Sequence, residues 1–336
     1  MMWSVIAALC VAQVSSAPGE SPKDSAPGNP ATENAGPTEG AGSESPRRVV
    51  RLNAGADFLS LSVESKVSEG LVLDYQPNSR LVLGALLGYG PFTLFAWTNG
   101  GTLDDDVAFG STRAFDIAGA YTLDLNGHEL NLFGEFRRYR GFYLANTGDI
   151  FIGASNERPI VRGDISSTAM TFSGTYFFDR DFSYADAFYD AKPDRTSRGS
   201  WVARLTTGFL GFGAAAPIVP PELSSEFGRS AFLSESNALL IAGSGGYVYD
   251  WVRANGFYLT GMMLGGGNVG YRISTEGEDD GPTASFSASV ALALGWSNDT
   301  YSIGLTGEGI LDGVGFQDLT VGLSRINVNT FFQLQL

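Results

Sequence analysis

The sequence predicts an all-β chain, an antiparallel up-and-down transmembrane β-barrel of about 12 strands, and three observations predict it. Stretches of roughly 8–18 residues alternate bulky apolar side chains with small or polar ones, between clusters of turn residues. No stretch reaches the 18 or more apolar residues of a membrane helix. The last segment keeps the alternation to the final residue, with Ile326, Val328, Thr330, Phe332, Leu334 and Leu336 on one face and Asn327, Asn329, Phe331, Gln333 and Gln335 on the other. Composition agrees: 44 Gly and 12% aromatic residues supply turns and rings, while 17% charged residues are too few for an ordinary helical surface.

Residues 1–17 read as a signal peptide. Met2–Ala12 is an apolar run of the right length, and Ser15-Ser16-Ala17 supplies small residues for cleavage, although no Lys or Arg precedes the run and Pro18 follows it. Leu9 is too large to precede a lipidated Cys10, the one cysteine. The exported chain is therefore expected to have no disulfide or thiolate chemistry. Residues 18–48, rich in Pro, Gly and Ser and without aromatic residues, cannot bury a core and read as a disordered spacer. The barrel domain is expected over 49–336.

Strands are expected near 66–75, 80–89, 92–98, 111–124, 129–143, 165–178, 200–211, 237–251, 256–273, 284–297, 300–311 and 318–336. That even number suits a bacterial barrel. Phe58–Val63 is left over and is expected to cap one mouth. The clearest segment puts Phe286, Ala288, Val290, Leu292, Leu294 and Trp296 on one face and Ser285, Ser287, Ser289, Ala291, Ala293 and Gly295 on the other. In a water-soluble sandwich the second face would be charged. Small residues there fit a barrel interior, with the bulky face in lipid.

Tyr89, Phe178, Trp201, Tyr249, Trp296 and Tyr301 fall near segment ends, where interfacial girdles lie. Asn126-Gly127, Arg253–Gly256 and Ser297–Thr300 read as short turns on one side. Asn99–Gly110, Asn146–Asp164 and Ala214–Ser236 read as long connections on the other. Asp179–Ser200 breaks the pattern, being long yet on the short-turn side, unless it forms strand or plugs the barrel.

Three stretches carry a family resemblance: Tyr75-Gln76-Pro77-Asn78, Phe136-Arg137-Arg138-Tyr139-Arg140-Gly141-Phe142-Tyr143-Leu144, and Arg180-Asp181-Phe182-Ser183-Tyr184-Ala185-Asp186-Ala187-Phe188 running on to Ser197-Arg198-Gly199-Ser200. In this order they resemble a bacterial family known as domain of unknown function number forty-four twenty-one, whose members are read as outer-membrane barrels. Asp181 interrupts the family's more usual Arg-Phe-Ser-Tyr run. The resemblance implies a fold and an outer-membrane location, and no reaction.

Little in the chain points to catalysis. His128, the one histidine, falls in the expected turn after Asn126-Gly127 and reads as solvated. With no second histidine, metal binding has no ligand set. The acidic runs Asp104–Asp106 and Glu276–Asp280 lack fixed ligand spacing and read as solvated charge. Gly243–Gly246 and Gly265–Gly267 lie in alternating β context with no following helix, so they are not phosphate loops.

Strand parity assigns Asp116, Glu135, Arg137, Arg204, Asp250 and Glu308 to the interior, where mutual pairing is favoured over a charged pore lining. A net charge of −15, from 21 basic and 36 acidic residues, excludes nucleic acid as the expected partner. No cofactor or enzymatic activity is expected. The expected partners are outer-membrane lipid and the barrel-assembly machinery, with a small solute left open. The leading expectation is a passive pore, small-solute channel or structural surface protein of the outer membrane. The alternatives are a lipid-modifying barrel enzyme and an exported soluble ligand-binding sandwich.

Overall fold

The computed structural model describes residues 48–78, 81–101, 106–151, 158–189, 195–273, 281–315 and 319–336. The expected signal peptide, nearly all of the spacer, Asp104, Asp105 and the run 276–280 lie outside the described residues.

The chain runs β1 (Arg48–Ser65), β2 (Val72–Gln76), β3 (Leu81–Tyr89), β4 (Phe92–Gly101), β5 (Arg113–Leu125), β6 (His128–Leu144), β7 (Ile160–Phe177), β8 (Arg198–Gly213), β9 (Glu235–Val252), β10 (Phe257–Ile273), β11 (Thr283–Ser297), β12 (Tyr301–Gly315) and β13 (Leu319–Gln335). Each long strand pairs antiparallel with its neighbour, and β13 pairs with β1 from Val49↔Gln335 to Ser65↔Leu319, so the sheet closes on itself. Twelve strands form the wall, with β2 an extra short piece. Closure removes the two long free edges an open sheet would have, with Asp57–Ser60 of β1 falling between its β3 and β2 ladders.

The first strand is a correction. Residues 66–75 were expected to open the barrel, with Phe58–Val63 capping a mouth; instead Phe58–Val63 lies in the middle of β1, and residues 66–71 are a turn. The physical reason is a change of side. Along β1 the outward residues are Leu52, Ala54, Ala56 and Phe58 and then Ser60 and Ser62, while the inward ones run Arg51, Asn53, Asp57 and then Leu59, Leu61 and Val63. The apolar face crosses from outside to inside at Phe58–Leu59, which hides the period.

The end carrying Arg48 and Gln335, called the near end, has the tight turns between β3 and β4, β5 and β6, β9 and β10, and β11 and β12. Asn126 (φ 58°) and Gly127 (φ 87°) have the two left-handed residues of a two-residue hairpin turn. His128, expected in that turn, instead opens β6, because a two-residue loop already closes the hairpin.

At the far end the wall changes. The lower half of β1 pairs with β3, whereas Leu61–Glu64 pair with β2, which itself pairs with the top of β6 through Tyr75↔Leu144 and Gln76↔Tyr143. Thus β2 closes the wall above the shorter β3–β4–β5 meander. Pro77, without an N–H, ends its ladder. Asn78 then ties the junction: its backbone N–H donates to Thr112 Oγ1 (2.8 Å), its amide to Asp106 Oδ1 (3.0 Å), and Thr112 Oγ1 donates to the Gly141 carbonyl (2.7 Å). Gly141, at φ 93° in a bulge of β6, is pressed against the Ser111 carbonyl, leaving no room for a side chain. Two of the three motif stretches therefore build this seam.

Candidate functional site

The outer wall carries the large apolar side chains. Trp201 (68% exposed), Leu205 (65%), Ile241, Met263, Phe286 and Ile303 face outward on the successive strands β8 to β12. At the near end aromatic side chains gather in pairs: Trp201–Tyr247 (5.3 Å between centroids), Trp251–Phe257 (5.9 Å), Trp296–Tyr301 (5.6 Å) and Tyr301–Phe332 (6.1 Å). Monomers in water rarely expose contiguous apolar patches beyond a few hundred Å².

Both mouths are filled. At the near end the connection between β7 and β8 turns into the barrel, with a single π-helical turn at Ala185–Tyr189. Phe182, Ala187 and Phe188 are buried there against Phe177, Val248 and Tyr258. Two arginines pin it. Arg51 donates through Nη2 to the carbonyls of Phe188 (3.0 Å) and Tyr189 (3.1 Å) and through Nε to Gln333 Oε1 (2.8 Å), its guanidinium 4.0 Å from the Phe331 ring centre. Arg195 donates to the Asp186 carbonyl and pairs with Asp250 Oδ2 at 3.4 Å, 4.4 Å from the Tyr258 ring centre. The third motif stretch is thus a plug, which resolves the long connection on the short-turn side. Burial raises the Tyr184 and Tyr189 hydroxyls above the ordinary phenol range, so both stay neutral.

At the far end the connection between β8 and β9, with 3-10 helical residues at Pro221–Phe232, folds down into the mouth. Ile218, Val219 and Phe227 are buried among Leu61, Val63 and Leu73, and the Tyr75 hydroxyl donates to the Ile218 carbonyl. Burying each such side chain is worth about 1.5–3 kcal/mol, enough to hold the loop down.

Between the plugs lies a polar layer. Arg325 on β13 donates Nε to Asp57 Oδ1 (2.8 Å), Nη2 to Asp116 Oδ2 (2.9 Å) and Nη1 to Glu135 Oε1 (3.2 Å). Arg137 Nη2 holds Glu135 Oε2 at 3.1 Å, and the Tyr139 hydroxyl lies 2.6 Å from Asp57 Oδ2 and 3.0 Å from Asp116 Oδ2. Three carboxylates thus meet two guanidinium groups and a phenol, an arrangement that offsets the cost of burying charge only because the network is nearly complete.

Beside the network is a chamber of about 240 Å³, lined by Asn131, Arg204, Thr206, Glu308 and Asn327 among others, with Tyr184, Phe188 and Tyr189 toward the near end. Its volume is below that of pockets for drug-sized ligands.

Of the six charges that parity selects, Asp116, Glu135 and Arg137 meet in the network. Arg204, which donates Nε to Thr175 Oγ1 (3.0 Å), and Glu308 line the chamber. Asp250 stands apart at the near-end plug, taking a further bond from Thr260 Oγ1 (2.6 Å). Sequence reasoning missed Asp57, Arg325 and Tyr139. Arg325 shares the face of Asn327 and Asn329, so extending the parity of β13 by one step finds it. His128 stacks on Tyr176 (5.6 Å between centroids) and accepts from Arg180 Nε (3.2 Å), with no carboxylate partner among the described residues. Among the described residues no group of three or more His, Cys, Asp or Glu is placed to hold a metal.

Closed wall, filled mouths and an outward apolar face define a twelve-stranded antiparallel β-barrel of the kind that carries its polar groups inside. The chain belongs to the family described as Domain of unknown function (DUF4421), whose model matches residues 44–331. Among curated proteins none matches the chain. Similar solved structures include the outer membrane protease OmpT of Escherichia coli (10% identity, 88% of this chain and 99% of that one, TM-score 0.41) and the toluene transporter TodX of Pseudomonas putida (7%, 86% and 90%, 0.32). Outer-membrane expressed OmpT of Vibrio cholerae also matches (9%, 85% and 97%, 0.30). At such scores the likeness carries no functional information.

Proposed function

We propose that this protein is an outer-membrane β-barrel for a small solute, sealed in its resting state. The observation that carries the reading is a chamber lined by both charged and aromatic side chains, Arg204 and Glu308 beside Trp97 and Tyr189, lying between two apolar plugs inside a wall whose large apolar side chains point outward. A lipid environment suits that wall, because charged groups inside and apolar groups outside suit a bilayer-spanning barrel. A permanently open passive pore fits poorly, since Phe182, Phe188, Ile218 and Phe227 fill both mouths. The near-end plug is the gate in this reading: it is a connection held by Arg51 and Arg195 rather than by the sheet. The reading is non-enzymatic, supported by His128 contacting Arg180 and Tyr176 and, among the described residues, no carboxylate.

The test is single-channel recording in a planar bilayer. The intact barrel is expected to show no standing conductance, and deletion of Phe182–Tyr189 is expected to open a steady one. A constant open level in the intact protein overturns the sealed state; silence after deletion overturns a solute path.

A further inference from the structure

The outer wall carries one basic cluster that neither the chamber nor the plugs use. Arg113 opens β5, and Arg138 and Arg140 lie near the top of β6; all three are exposed. Arg113 stands directly opposite Arg140 in the ladder, and Arg138 opposite Phe115. They share the outward face, because the alternating Asp116, Arg137 and Tyr139 are buried inside. Like charges directly opposite one another destabilise a sheet.

Among the described residues no acid is paired with them. The outward face of β5 reads Arg113, Phe115, Ile117, Gly119, Tyr121, Leu123, and that of β6 reads Arg140, Arg138, Phe136, Gly134, Leu132. On β7, Arg140 and Arg138 are flanked by Ser166 and Thr168. Among the described residues none of the three arginines has an ion pair or hydrogen bond with a side chain of this wall.

Their height matters as much as their sign. Immediately toward the near end come Phe115 (49% exposed), Met170 and Phe172, the edge of the outward apolar face. The cluster therefore lies where acyl chains give way to headgroups. The backbone beneath it is set by the seam, since Thr112 and Gly141, the neighbours of Arg113 and Arg140, are joined by a hydrogen bond of 2.7 Å. Planar guanidinium forks held on a rigid sheet suit bidentate binding of phosphate or carboxylate oxygens, and of these a membrane headgroup most generally supplies phosphate.

We propose that Arg113, Arg138 and Arg140 dock the phosphate headgroup of a lipid in the leaflet at the far end, its acyl chains lying on Phe115, Met170 and Phe172. The site rests on the membrane reading above. A lipid is favoured over a free anion because the charges border directly on the apolar face.

The test uses the full chain in mixed micelles, with retained lipid counted by native mass spectrometry. Phosphatidic acid and phosphatidylcholine are the probes, and inorganic phosphate is the competitor. The intact protein is expected to hold phosphatidic acid about ten-fold more tightly than phosphatidylcholine, and the triple variant Arg113→Gln, Arg138→Gln, Arg140→Gln is expected to lose that preference. Inorganic phosphate at equal concentration is expected not to compete. Equal retention of the two lipids by the intact protein overturns the site without any variant, as does a preference that survives the triple change or yields to inorganic phosphate. A chain that stays dispersed without detergent overturns the membrane reading instead, so the two failures are distinct.

Discussion

Arg325 Nη2 lies 2.9 Å from Asp116 Oδ2, and this pair joins the last strand of the barrel to the fifth across its interior. The same guanidinium reaches Asp57 on β1 and Glu135 on β6. One side chain therefore ties together the closing strand, its ladder partner β1 and two strands the ladder does not bring next to β13.

Removing that centre should be costly. Arg325→Met leaves Asp57, Asp116 and Glu135 facing one another around Arg137 alone, and breaking a buried pair by removing one partner costs about 3–5 kcal/mol. The temperature at which the folded gel band converts to the unfolded one is expected to fall sharply. Adding Asp116→Leu to Arg325→Met is expected to restore part of the loss, since it removes a carboxylate left without its partner.

The plug is predicted to depend on Arg51. Arg51→Ala removes the donors to the Phe188 and Tyr189 carbonyls while leaving the wall ladders intact. Brief conductance openings with an unchanged folded band are the expected outcome.

Gly141 should tolerate no side chain. Its φ of 93° and its contact with the Ser111 carbonyl oppose any Cβ, so Gly141→Val is expected to reduce the folded yield. Gly265→Ala, where a Cβ meets nothing within 4 Å, is the matched control and is expected to fold normally.

Much of the wall could be read from residue order, because along most of β3 to β13 bulky apolar residues recur on the outward face and small or polar ones on the inward face, with exceptions such as Phe95 and Tyr139, a period of two that needs no tertiary knowledge. What escaped was β1, where the apolar residues change side at Phe58–Leu59. The far-end loop packs inward there, so the inside of β1 turns apolar and the outside polar. The network was half legible for a related reason: Asp116, Glu135 and Arg137 sit within strongly alternating segments, whereas Asp57 lies in the strand whose period is broken. The plug was not legible at all from periodicity, since Phe182–Tyr189 has neither a strand nor a helix period long enough to register.

Outward charge is predicted to be far less tolerable than inward charge. Leu205 faces out in the middle of β8, so Leu205→Arg is expected to cost about 2–4 kcal/mol in a bilayer. Thr206→Arg points at the chamber, and an effect on solute passage rather than on folding is expected. Equilibrium unfolding from vesicles measures the first and bilayer recording the second.

The most direct test of the central claim is the accessibility of nitroxide labels placed singly from Trp201 to Phe209 in vesicle-embedded protein. A lipid-embedded barrel predicts a two-residue period, with odd positions open to oxygen and shielded from a water-soluble nickel chelate, and even positions shielded from oxygen. Odd positions freely open to the nickel chelate would place the outward face in water and contradict the account.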